Sequence, residues 1–195
     1  MKLKSALLVL FYGAFAFAGL AEDFEKIKNN ARDLEPTGAI CEEIAQLRFS
    51  EMYPAPDYEV ITGVQYDDET GTIGELDLIV LNKDKVAEVI GEVKCWTNAK
   101  SGLKKAADQR KRFQRYVNSP KALKFKWLND PSRKLTKTQF NKAQKFVFIA
   151  QSGTIADGYG YELPYTLREL MHLRTDILNC QFQGNCQKPK TTKSF

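Results

Sequence analysis

Two apolar runs, residues 72–81 and 86–96, are joined by the polar turn Asn82-Lys-Asp-Lys85. The first reads Thr72-Ile-Gly-Glu-Leu-Asp77-Leu-Ile-Val-Leu81 and the second Val86-Ala-Glu-Val-Ile-Gly-Glu92-Val-Lys94-Cys-Trp96. β-Branched and aliphatic residues bounded by turn formers predict a β-hairpin. Upstream, Ile40, Ile44 and Leu47 repeat at the spacing of one helical stripe within residues 37–52, and Pro36 suits the entrance. Downstream, Leu103, Ala106, Phe113 and Tyr116 give the inner side of a helix over 101–118. A last apolar stripe, Leu167, Leu170, Met171, Ile177 and Leu178, predicts a C-terminal helix over 164–178.

Asp77, Glu92 and Lys94 break the apolar pattern of the hairpin. If Asn82 and Lys85 close the turn, Asp77 faces Ile90 and Glu92 lies diagonally across on the same face, with Lys94 following it. Diagonal neighbours lie about 7–8 Å apart, close enough for two carboxylates to share one hard cation. A slip of one residue would put them on opposite faces. Charges on a solvated face would leave the same letters, so the pattern admits a structural reading beside the metal-binding one. Glu43 borders the stripe of the first helix, whereas Glu42 points toward solvent. Gln109 falls between the apolar positions of the second helix and must either bond neighbouring backbone or reach the site.

With these residues in place, the chain resembles the PD-(D/E)XK nuclease superfamily. That resemblance implies an α/β fold with a restriction-endonuclease-like core, αβββαβ, in which a mixed central sheet is flanked by helices. The matching order is a helix near 37–52, strands near 58–67, 72–81 and 85–96, a helix near 101–118 and a strand near 145–150. Asp77 takes the first acidic position, Glu92 and Lys94 the (D/E)xK element, and Glu43 the acid of the first helix. Gln109-Arg-Lys-Arg-Phe113 is similar to the Gln-x-x-x-Tyr motif of the RecB-like branch, with Phe in place of Tyr, and Leu76 stands where a proline would precede Asp77.

Phosphodiester hydrolysis needs an activated water and counter-charge for a crowded phosphorane. Asp77, Glu92 and the Val93 carbonyl would ligate Mg²⁺ or Mn²⁺, and Glu43 would hold a water or a second ion. Lys94 would orient the attacking water or neutralise charge, because neighbouring carboxylates oppose the lowered pKa that a base would need. The chain has a single histidine, so mechanisms built on a histidine pair are excluded, and His172 is read as a surface or packing residue.

A net charge of +5 hides a division. Residues 22–92 carry 18 acidic and 6 basic side chains, whereas residues 93–145 carry 16 basic and 2 acidic ones. Such a basic half beside paired acids suits a polyanion, with Lys104, Lys105, Arg110, Arg112, Arg115, Lys124, Lys126 and Lys134 as candidate phosphate contacts. Phe125, Trp127 and Phe140 are interleaved with these charges and either stack on bases or pack over the core edge.

Residues 1–21 read as a secretory signal peptide, basic at Lys2 and Lys4, apolar from Ala6 to Leu20, and cleaved after Ala21. Residues 22–195 then form a single domain with a basic insert at 119–145, secreted or periplasmic, without stable membrane association. Four cysteines allow three connectivities; a loop closed by Cys180 and Cys186 would leave Cys41 to pair with Cys95. The resulting expectation is an exported, Mg²⁺- or Mn²⁺-dependent deoxyribonuclease of little sequence specificity. A non-catalytic nucleic-acid-binding module and an RNase on the same scaffold are the alternatives.

Overall fold

The computed structural model describes residues 19–189. Most of the proposed signal peptide, residues 1–18, lies outside them, and residues 19–27 are helical through the expected cleavage point after Ala21. The described residues divide into two compact units, one built from residues 41–166 and the other from the flanking segments, residues 19–40 and 167–189.

The unit of residues 41–166 carries an α/β fold around a seven-stranded mixed sheet. Helix α1 (Ala39–Met52) enters it and is followed by β1 (Tyr58–Asp68), β2 (Gly71–Asn82) and β3 (Ala87–Val93). Helix α2 (Ala99–Val117), β4 (Lys124–Trp127), β5 (Lys134–Leu135), the short α3 (Lys137–Phe140), β6 (Lys145–Ala150) and β7 (Tyr161–Glu162) complete it. The order across the sheet is β5-β4-β1-β2-β3-β6-β7, antiparallel except where β6 joins β3 and β7 joins β6. The parallel β3–β6 pair requires a crossover, and α2 supplies its helix. Phe113 and Val117 of α2 join Ile79, Leu81 and Ile90 of the hairpin in one buried cluster.

Several boundaries differ from the sequence reading for local reasons. Helix α1 starts at Ala39 because Pro36 and its successors form a turn, in which Ala39 N–H donates to Pro36 O. Strand β3 stops at Val93, where Lys94 N–H turns to Ile149 O and Cys95 is drawn into a disulfide with Cys41. The buried side of α2 is Gly102, Ala106, Phe113 and Val117 rather than the stripe ending at Tyr116. Residues 119–145 do not stand apart from the sheet: β4 pairs with β1 and β5 with β4. Their alternation sends Phe125 and Leu135 inward and leaves Lys124, Lys126 and Lys134 exposed.

In the second unit, helix α4 (Leu167–Gln183) starts later and runs further than the expected 164–178. The delay follows from Leu163 N–H bonding Ala150 O and Tyr165 O accepting from Ser152, which commit residues 163–165 to the sheet side of a bend. Cys180, in the last turn of the helix, and Cys186, just beyond it, form the second disulfide, so both cysteine pairs are those expected and fit an oxidising compartment. Arg174 of α4 donates to Leu34 O at 2.6 Å, and Gln181 to Arg32 O at 3.1 Å. The His172 side chain is 68% exposed and faces Asp176 at 3.6 Å, as a surface residue. Among the described residues no helix is long and apolar enough to cross a membrane.

Candidate active site

The β2–β3 ladder pairs Leu78 with Gly91 and Ile79 with Ile90. Continued by one step, that register sets Asp77 directly opposite Glu92, not diagonally across from it. The difference from the expected pairing arises at the turn, which closes through Asn82 N–H to Val86 O, and at an irregularity between Val80 and Leu81. Both changes act together, so the acids stay on one face and move closer.

Asp77, Glu92 and Lys94 are all buried. Where the ladder ends, the Asp77 carboxylate substitutes for a backbone partner: Oδ2 accepts from Val93 N–H at 2.8 Å. The Lys94 ammonium lies at the convergence of three oxygens, 2.5 Å from Asp77 Oδ2, 3.0 Å from the Val93 carbonyl and 3.5 Å from Glu92 Oε2. These are three of the oxygen donors expected of a cation site, gathered around a positive charge.

Glu92 bears the cost of this arrangement. Burial, and next the neighbouring Asp77 charge, push its carboxyl up to about 8, against the opposing pull of Lys94 and Arg112. Its Oε2 is buried without a hydrogen-bond donor. A divalent cation would take the place of the proton that Glu92 keeps and join Lys94, 3.5 Å away, in offsetting the two acids; two carboxyl groups and a backbone carbonyl are the oxygen donors that Mg²⁺ or Mn²⁺ takes. For Lys94, burial alone would lower the pKa, but Asp77, Glu92 and Glu42 outweigh it and raise it. The amine therefore stays protonated, which suits an orienting or charge-neutralising role and not that of a base.

The helical acids fall differently from the sequence reading. Glu43 is buried, as its place beside the stripe implied. Glu42, expected in solvent, is only partly exposed and is the helical carboxylate whose field reaches Lys94. Among the described residues no three His, Cys, Asp or Glu side chains are grouped to hold a metal, so Glu43 does not complete a triad with Asp77 and Glu92. Gln109 is half-buried, and its Oε1 is sealed from solvent without a partner.

The basic candidates separate into groups. Lys104, Lys105, Arg115, Lys124, Lys126 and Lys134 are exposed, while Arg110 and Arg112 are half-buried. Arg110 lies over the Phe148 ring at 4.8 Å and Arg115 over Tyr116 at 5.3 Å. Arg112 hydrogen-bonds the buried Tyr66 hydroxyl and adds its charge to the surroundings of Glu92. Tyr66 in turn meets Phe113 edge-on, ring centres 5.3 Å apart. The sequence marked neither Tyr66 nor the inward reach of Arg112, because both depend on β1 lying beneath α2. Of the interleaved aromatics, Phe125 and Phe140 stack on each other at 4.4 Å inside the core. Trp127 is half-buried, with its indole N–H donating to Thr62 O at 2.9 Å. No family model matches this chain, and comparison with curated proteins and with solved structures found no match either.

Proposed function

We propose that this chain is a metal-dependent deoxyribonuclease with a restriction-endonuclease-like core, related to the PD-(D/E)XK superfamily and acting in a secreted or periplasmic setting. One observation carries the reading: buried Asp77 and Glu92 face each other at an opened strand end, with Glu92 Oε2 lacking a donor and Lys94 alongside. A bound Mg²⁺ or Mn²⁺ would supply Lewis-acid charge at the scissile phosphate. Asp77, Glu92 and the Val93 carbonyl would hold it. Lys94, kept protonated by its acidic neighbours, would orient the attacking water and offset the negative charge developing on phosphorus. The exposed lysines of α2, β4 and β5 would draw in the polyanion, whose contacts with them would be to phosphate and carry little sequence information.

The two disulfides support an oxidising compartment. A binding module without catalysis is the second reading, favoured by one observation: the Asp77–Lys94 ion pair already neutralises one acid without a metal. Digestion of plasmid and of single-stranded circular DNA decides between them. The purified protein should cut at least one of the two with Mg²⁺ or Mn²⁺ and neither with EDTA. Asp77→Ala, Glu92→Ala and Lys94→Ala should each lower the rate by roughly 10²-fold or more, the scale of losing a preorganised electrostatic group. Parental rates in the triple variant would exclude this site.

A further inference from the structure

Among the described residues, few large apolar side chains are exposed, and one of them, Trp96, stands two positions beyond Lys94. The indole is 39% exposed, although its stem is fixed from several directions. Cys95 before it is tied to Cys41, and Gln151 donates to the Trp96 carbonyl at 2.8 Å. Gly102 of α2 lies so close that a Cβ there would stand 3.5 Å from the Cβ atoms of both Lys94 and Trp96. The stems of buried Lys94 and exposed Trp96 therefore lie side by side against Gly102, which places the indole next to the candidate site. Lys105, itself exposed, lies over the indole ring at 5.0 Å.

We infer that Trp96 is a stacking platform for an unstacked base beside the candidate site, making single-stranded nucleic acid the favoured substrate class. The inference rests on the nuclease reading and extends it. An exposed aromatic face held on a rigid stem loses little freedom when a base stacks on it, and every base offers such a face. In a duplex those faces are already covered by neighbouring bases, so the platform discriminates by strandedness rather than by sequence. Lys105 completes the subsite: its ammonium can exchange the ring for the phosphate that accompanies the base. The other aromatics of the basic segment are less available, since Phe125 and Phe140 are buried and Trp127 is half-buried with its indole N–H committed to Thr62 O at 2.9 Å.

The chain has two tryptophans, so Trp127→Phe leaves Trp96 as the sole indole reporter. In EDTA, a single-stranded oligonucleotide should quench the emission of this variant, and its duplex should quench it far less. Because Trp127→Phe disturbs a packed residue, the same contrast is read in the otherwise native chain with Trp96→Ala and a labelled oligonucleotide. Trp96→Ala should weaken single-strand binding about tenfold or more and leave duplex binding within about twofold, and Trp96→Phe should recover most of the loss. Binding of single strands without quenching, or unchanged affinity in Trp96→Ala, overturns the inference even if metal-dependent cleavage is found. Quenching by single strands without cleavage under any divalent ion supports the platform and overturns the nuclease reading. Failure of both strand forms to bind overturns both.

Discussion

A single carboxyl, that of Glu92, accounts for much of the energetics of the site. Its folded-state pKa of about 8 lies above the ordinary 4.5, with burial as the largest cause and Asp77 next. Between those two values the unfolded chain has released its proton and the folded chain keeps it. Stability in EDTA should therefore fall as pH rises from about 4.5 to about 8 and level off above that. Glu92→Gln removes the titration, so its stability should be flatter across this window, with the advantage over the parent growing toward pH 8. Urea melts of parent and variant in EDTA provide the comparison. Parallel pH profiles would mean that the Glu92 environment is not as described. The same substitution should cost cleavage, because a neutral amide oxygen holds a divalent cation far more weakly than a carboxylate.

At the scale of elements, the hairpin and its disulfide decide whether the acids meet. The Cys41–Cys95 bond joins α1 to the chain just beyond β3 and closes a loop of 54 residues, against 6 for Cys180–Cys186. On chain entropy alone the longer loop confers about 2 kcal/mol more stability than the shorter. Replacing Cys41 and Cys95 by serine should thus lower the denaturation midpoint more than replacing Cys180 and Cys186, and should also reduce cleavage, since Cys95 follows Lys94 directly. Equal losses from the two pairs would remove the special role of the first bridge. Much at this scale was legible in the sequence: alternation and turn chemistry gave the strands on either side of Asn82, and the apolar stripe gave α1. The pairing of Asp77 with Glu92 was missed by a shift in register, because turn closure at Val86 and the irregularity after Val80 leave no mark in hydropathy. Trp96 was read only as the end of a strand. Its exposure depends on where β3 leaves the sheet and on how closely Gly102 approaches, and both are tertiary facts.

Across the whole chain, charge is divided between an acidic N-terminal half that contains the paired acids and a basic stretch from residue 93 to residue 145. The division has a structural explanation too, for exposed lysines on β4 and β5 guard a sheet edge against pairing with other chains. Salt separates the two roles. If the lysines bind phosphate, DNA affinity in EDTA should fall steeply with salt. Replacing Lys104, Lys124 and Lys126 by glutamine should then make the log–log slope shallower by about 0.9 for each phosphate of duplex DNA that these side chains had neutralised. An unchanged slope would assign these lysines to edge protection alone. Whether the two acids share a cation is read by locating Mn²⁺ through anomalous scattering in crystals of the parent protein soaked with the ion. A metal held as proposed gives a peak between Asp77 and Glu92, about 2.1 Å from an oxygen of each, that disappears in Glu92→Gln. A map with no peak there, from a protein that nevertheless cuts DNA with Mn²⁺, would contradict that arrangement.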